Sequence, residues 1–179
     1  SNDNYNGLDS TMYGVKTINN VHILMDSGIY EYNNILFGHT KFGENVEVQK
    51  CDIKTNKIKC ALYHGTLHNS KIESGRNFNN NENEQKYLTV GDFLSYDFAF
   101  LGDIHKMEFM TDTIAYSGSL LQLDQTESLD KGYILWDLKK KKGNFIKIKN
   151  NYGRIKINID EKGHHGIDIN NLPKYLDVD

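Results

Sequence analysis

The sequence predicts an α/β fold that is rich in short strands. Two runs, Cys60–Tyr63 and Phe98–Leu101, are apolar at every position, which is typical of central strands covered on both faces of a sheet. Shorter β-rich runs separated by turn residues dominate the rest of the chain. Tyr87–Ser95 is predicted to be a short helix with Thr89 as its N-cap.

Length and composition exclude several classes of protein. The chain has 179 residues, of which 38% are apolar, so it can form one domain with a core. A net charge of -3 excludes a broadly basic nucleic-acid coat but allows a local basic patch or a bound metal ion. No apolar stretch reaches the ~20 residues of a membrane span. With 2 cysteines the chain cannot be a disulfide-stapled scaffold, so we expect an intracellular protein of the cytoplasm or nucleus.

Two hairpins are predicted in the first third of the chain. Gly28–Tyr32 and Ile35–Phe37 flank the turn residues Asn33 and Asn34, and Val21–Met25 would add a third strand to form a meander. Val46–Ile53 and Ile58–His64 form the second predicted hairpin. It would place Cys51 opposite Cys60. A disulfide there is an alternative, but a reducing interior favours two half-buried thiols.

A domain boundary is predicted at the lysine run Lys139–Lys142. Residues 1–138 would form the main domain, with further strands at Thr113–Tyr116 and Gly132–Leu138. Residues 139–179 would form a β-rich cap or linker, because Phe145–Lys149 and Arg154–Ile159 alternate between apolar and basic residues. We expect this segment to lie outside the central sheet. The lysine run itself is interpreted as a solvated turn, with contact to DNA phosphates as the alternative.

Candidate ligand residues follow both buried runs. The first run leads into His64-Gly65, and the second into Gly102-Asp103-Ile104-His105. Ligands of open α/β sheets gather beyond the carboxyl ends of the strands, and glycine allows close backbone approach there. A lone histidine at a strand end is more often an ordinary surface residue. Together, however, imidazole and carboxylate groups suit manganese, iron or zinc, so we expect His64, Asp103 and His105 to converge on such a site.

The order of motifs between about residues 58 and 138 resembles a known superfamily. Ala61–Gly65, Tyr96–Lys106, Ile114–Leu120 and Lys131–Tyr133 are similar to the calcineurin-like metallophosphoesterases, and most of all to the SbcD-type nucleases of DNA double-strand-break repair. The resemblance implies that the chain is the second, C-terminal half of an α/β/β/α sandwich. It also implies phosphodiester hydrolysis at two divalent metal ions, with manganese expected first and iron or zinc as alternatives.

The resemblance assigns roles to particular residues. His64 and Asp103 would hold one ion and His105 the other, while Lys106 and Ser119 would bind substrate. No catalytic residue is assigned. Asp103 stands where the family usually has histidine, which makes the site harder and more anionic and changes the expected metal preference.

Partners and completeness also follow from the resemblance. It implies DNA as substrate, an SbcC-type ATPase as partner and self-association into a homodimer. The family's earlier motifs, Asp-x-His, Gly-Asp-x-x-Asp and Gly-Asn-His-Asp/Glu, do not occur in this sequence before residue 58, where the resemblance begins. We therefore expect the chain alone to be inactive. The alternatives are a phosphoesterase acting on nucleotides or phosphoproteins, and an inactive half-domain that serves as a binding scaffold.

Overall fold

A six-stranded mixed sheet forms the centre of the molecule. A computed structural model of the chain describes residues 18–43, 47–72, 78 and 87–150, together with short strands between residues 152 and 176. The sheet order is β1-β2-β3-β4-β6-β5. The strands are β1 (Gly28–Tyr32), β2 (Ile35–His39), β3 (Ile58–His64), β4 (Phe98–Gly102), β5 (Glu108–Thr111) and β6 (Ile114–Tyr116).

The inner strands of this sheet run parallel. β2 pairs with β3, β3 with β4, and β4 with β6 in parallel, whereas β1 and β5 are antiparallel edge strands. The two runs predicted to be buried are therefore confirmed as neighbouring central strands, in a register that pairs Cys60 with Phe98 and His64 with Gly102. The predicted hairpin between β1 and β2 is also confirmed, and Asn33 adopts the positive φ of 52° that its turn requires.

One face of the sheet packs on the main hydrophobic core. Ala99 and Leu101 of β4 point to this side, where they meet Phe93 from a single 3₁₀ turn, Val90–Phe93. The other buried members are Val48, Ala61, Leu67, Ile104, Ile114 and Tyr116. The Asp92 carboxylate accepts hydrogen bonds from the backbone N–H (2.7 Å) and the hydroxyl (2.8 Å) of Thr89, which stabilises the start of the turn.

The helical content differs from the prediction. The segment predicted as a helix, Tyr87–Ser95, contains only that 3₁₀ turn, and it is the only helical segment within the described residues. The expectation of an α/β protein therefore holds only in its coarser form, a strand-rich mixed sheet. The outer α layers of an α/β/β/α sandwich are not seen in the described part of the chain. Its helical segment is also too short to cross a membrane.

A hairpin covers the opposite face of the sheet. Its strands β7 (Gly132–Asp137) and β8 (Lys142–Lys147) pair only with each other. The Trp136 ring packs against Phe98 and Phe100 of β4, with centroids 5.6 and 5.3 Å apart. The strand Lys142–Lys147 thus lies outside the main sheet, as expected for the segment after the lysine run. The lysine run that was interpreted as a boundary forms the β7–β8 turn and the first residue of β8.

The predicted hairpin between Val46–Ile53 and Ile58–His64 is wrong. Residues 47–53 form no strand, residue 46 lies outside the described residues, and β3 pairs with β2 and β4 instead. Val48 and Cys51 of this segment are buried without forming a strand. Side chains bind the backbone of this segment: the Lys59 ammonium donates to the Cys51 carbonyl (3.0 Å), and the Tyr96 hydroxyl donates to the Gln49 carbonyl.

Both cysteines are free and buried, so the interpretation as thiols rather than a disulfide is confirmed. Burial, followed by the nearby Asp97 carboxylate, raises the pKa of the Cys60 thiol to about 12. Cys60 is therefore a small apolar residue of the central sheet rather than a nucleophile.

The predicted strand Val21–Met25 is also wrong. Its first residue belongs to a turn, in which the Val21 N–H donates to the Ile18 carbonyl (3.3 Å) instead of joining a ladder. The later strands are short: β9 (Tyr152–Gly153), β10 (Asn158–Asp160), β11 (Gly163–His165) and β12 (Tyr175–Leu176). β10 pairs antiparallel with β11, and β9 pairs parallel with β12. Residues 154–157 of the predicted strand Arg154–Ile159 lie outside the described residues.

Candidate functional site

The carboxyl ends of β3 and β4 bring two predicted ligand residues together. His64 is the last residue of β3, and Asp103 directly follows β4. Because His64 pairs with Gly102 in the sheet, the two side chains emerge side by side. The His64 Nε2 atom lies 3.9 Å from Asp103 Oδ1. The side chains are 55% and 40% exposed, so this pair is open to solvent.

The His64 ring lies between a glycine and an aromatic ring. A Cβ atom on Gly102 would lie 2.8 Å from His64 Nδ1, closer than real Cβ contacts, so the ring occupies the space that glycine leaves. The Phe42 ring meets the imidazole edge-on, with centroids 5.2 Å apart. These contacts position the ring with its Nε2 atom near Asp103.

Asp103 has an unusual backbone conformation. Its φ is 96°, in the region that L-residues rarely adopt. The Thr66 hydroxyl donates to Asp103 Oδ2 (2.7 Å) and fixes the carboxylate from the loop after β3. Strain of this kind costs on the order of 1–3 kcal/mol and clusters at functional sites. The conformation of Asp103 is therefore of the kind that the predicted site would require.

His105 is held by a buried ion pair. Its Nδ1 atom lies 2.8 Å from Glu127 Oε1, and Glu127 Oε2 accepts a hydrogen bond from Lys131 Nζ at 2.7 Å. The side chains of Glu127 and Lys131 are only 8% and 2% exposed. Burial opposes ionisation of Glu127, but hydrogen bonds from Lys131, His105 and the Leu123 N–H outweigh it, so the pKa of this carboxyl lies below its usual range.

The loop that carries His105 is also fixed through its backbone. The His105 carbonyl accepts hydrogen bonds from the Ser119 N–H (3.1 Å) and from Lys131 Nζ (3.3 Å). Gly118 has a φ of 78°, and a Cβ atom there would lie 2.8 Å from that carbonyl, so the close approach requires glycine. The hydroxyl of Ser119 donates to the Leu121 carbonyl (2.7 Å). In this conformation Ser119 stabilises its own loop.

A cleft of about 240 Å³ adjoins these loops. Asp103, His105 and Lys106 line it together with Asp124 and Glu127. Three of the residues predicted for metal or substrate binding thus share one cleft, and His64 lies beside it through its contact with Asp103.

The arrangement contains pairs of candidate ligands rather than a complete metal cage. Among the described residues, no group of three or more His, Cys, Asp or Glu side chains is placed to hold a metal ion. The metal roles of His64, Asp103 and His105 therefore stay predictions. Sequence reasoning missed Thr66, Glu127 and Lys131. Only Lys131 carried a signal, as the first residue of the Lys-Gly-Tyr motif, and that motif gave it no role.

The comparisons with known proteins add one relative. No protein-family model matches the chain. The chain is 38% identical over 148 residues to "Uncharacterized protein R555" of Acanthamoeba polyphaga mimivirus, a match that covers 76% of this chain and 11% of that protein. The chain thus spans about a tenth of the length of the curated relative it matches, and it is similar to one segment of a much longer viral protein.

Proposed function

We propose that the chain forms the second half of a metal-dependent phosphodiesterase domain that acts on DNA. The observation that carries the proposal is the meeting of His64 and Asp103, 3.9 Å apart, at the carboxyl ends of two parallel strands. The cleft that Asp103 shares with His105 supports a second ligand position next to the first. Two adjacent ions are the arrangement that two-metal phosphoryl chemistry uses.

The donor atoms of His64 and Asp103 are close enough to share one divalent ion. Two donors that each lie about 2.1 Å from one ion can be at most about 4.2 Å apart. The separation of 3.9 Å between His64 Nε2 and Asp103 Oδ1 is within that limit. His105 uses Nδ1 to contact a carboxylate, the outer contact that metal-binding histidines usually make. Manganese, iron or zinc would polarise a phosphoryl oxygen when bound to such residues.

The chain's own residues supply positioning and charge. The Lys106 side chain lines the cleft, where its ammonium group would neutralise part of a phosphate's charge. Thr66 orients the Asp103 carboxylate, and the Ser119 N–H holds the His105 loop. DNA as the substrate, an SbcC-type ATPase as the partner, homodimer formation and an intracellular site of action rest on the sequence resemblance alone.

A second candidate is an inactive half-domain that serves as a binding scaffold. It is favoured by the finding that the described residues contain ligand pairs but no group of three or more ligands. Under this proposal the strained Asp103 and the cleft would bind a partner's cationic group instead of a metal ion. Phosphoesterase action on nucleotides or phosphoproteins is a third proposal, and a comparison of substrates separates it from DNA cleavage.

The test is manganese-dependent cleavage by the full-length product of the gene that encodes this chain. We expect His105→Ala to lower the rate about a thousandfold, on the order of 4 kcal/mol, because a metal ligand is lost. His22→Ala is the matched control, since it removes an imidazole whose ring packs on Tyr32. Full activity in His105→Ala would refute the proposed site. Activity on nucleotides or phosphopeptides but not on DNA would favour the third proposal.

A further inference from the structure

We propose that Glu127 is a positioning residue that fixes the imidazole of His105 in the tautomer with its proton on Nδ1. The inference deepens the proposed function and rests on it in one respect, the role of His105 as a ligand. Its physical basis is the 2.8 Å contact between His105 Nδ1 and Glu127 Oε1, whose side chain is only 8% exposed.

The tautomer follows from what each atom can donate. An ionised carboxylate only accepts hydrogen bonds, so a neutral His105 must carry its proton on Nδ1 to make this contact. Rotation of the carboxylate cannot relieve this demand, because Oε2 already accepts from Lys131 Nζ (2.7 Å) and from the Leu123 N–H (3.1 Å). Nε2 is then the nitrogen with the free lone pair, which is the form that binds a metal ion.

Lys131 fixes the orientation of Glu127. Its side chain is 2% exposed, and its ammonium group donates hydrogen bonds to both Glu127 Oε2 and the His105 carbonyl. One buried cation therefore holds both the backbone of His105 and the carboxylate that faces its ring. Lys131 thus connects the loop that carries His105 to the Glu127 carboxylate.

Replacing one carboxylate oxygen of Glu127 by an amide nitrogen should reverse the tautomer of His105. In Glu127→Gln, the amide oxygen must face Lys131 and the Leu123 N–H, because both groups are donors. The amide NH₂ then faces His105 Nδ1, which must become an acceptor and leave the proton on Nε2. Shape and volume barely change, but the nitrogen that a metal ion needs is now protonated.

The experiment is ¹⁵N NMR of the histidine side chains of the 179-residue chain at about pH 8.5, well above the usual histidine pKa of about 6.5. The His105 signals are assigned with His105→Ala. We expect Nδ1–H in the wild type and Nε2–H in Glu127→Gln. Asp124→Asn is the matched control, because it removes the same charge from the same cleft and should leave the tautomer as Nδ1–H.

Two results would overturn the inference: an Nε2–H tautomer in the wild type, or no change of tautomer in a folded Glu127→Gln. The tautomer of His105 in the wild type tests the inference even if Glu127→Gln fails to fold. Mn²⁺ binding by the full-length product separates this inference from the proposed function. We expect Glu127→Gln to weaken it about 10–100-fold. A tautomer that switches without any change in Mn²⁺ affinity would leave the positioning role intact but contradict His105 as a ligand.

Discussion

Strand β4 has an aspartate at each end, and the surroundings of the two differ. Asp97 precedes the strand; its Oδ2 accepts from the Lys59 N–H (3.0 Å) and its Oδ1 from Lys141 Nζ (2.8 Å). Asp103 follows the strand and meets the Thr66 hydroxyl (2.7 Å) and the His64 imidazole (3.9 Å). Both residues are next to the same buried strand, so their chemical partners make the difference.

The comparison separates a structural carboxylate from a candidate ligand. Asp97 joins β3 to the β7–β8 turn, and its charge is paired with an ammonium group. Burial opposes ionisation of Asp97, but hydrogen bonds from Lys141 and Lys59 outweigh it and hold the pKa below its usual range. Asp103 has a strained φ of 96°, lines the cleft and lies beside the His64 imidazole. Its carboxylate is available to a cation that binds from solvent.

The largest expected effect is on activity at the carboxyl end of β4. In the full-length product, we expect Asp103→Ala to lower manganese-dependent cleavage about 100-fold or more, because a metal ligand is removed. Asp97→Ala should change the rate less than about threefold, since Asp97 lies at the opposite end of the strand. Asp103→His should be milder than Asp103→Ala, because histidine can also ligate. Equal cleavage rates in the three variants would contradict the contrast between Asp97 and Asp103.

A smaller effect is expected on the acid dependence of stability at the amino end. Because the folded pKa of Asp97 is lowered, its contribution is present above its unfolded pKa of about 3.9 and is lost as the pH falls through the folded value. We expect Asp97→Asn to lower the free energy of unfolding by about 1 kcal/mol near pH 6. The difference from wild type should shrink as the pH falls from the unfolded pKa through the lower folded pKa. Urea denaturation across this range measures it, and a constant difference at all pH values would contradict the assignment.

The centre of the fold could be predicted from the sequence because its signals are local. Cys60–Tyr63 and Phe98–Leu101 are continuously apolar, and this pattern identified β3 and β4 as central strands of the sheet. A weaker local signal, a β-rich run beside a turn, failed at Val46–Ile53. There Val48 and Cys51 are buried by contacts with distant residues, and side chains from Lys59 and Tyr96 bind the backbone in place of a strand partner.

The candidate site was predicted only in part, for a related reason. His64 ends β3, and Asp103 and His105 lie in the loop just after β4, so the ends of the apolar runs located them. Glu127 lies 22 residues from His105 in the sequence, in a loop without periodicity, and only the folded chain reveals their contact. The positive φ of Asp103 is likewise invisible in the sequence, since it depends on how the loop leaves β4.

The most direct test of the central claim is Mn²⁺ binding by the full-length gene product, followed by electron paramagnetic resonance. We expect Asp103→Ala and His64→Ala each to weaken binding at least about tenfold, since each removes one of the paired donors 3.9 Å apart. Asp97→Ala should bind Mn²⁺ as the wild type does. Equal affinity in the wild type, Asp103→Ala and His64→Ala would contradict a metal site at the carboxyl ends of β3 and β4.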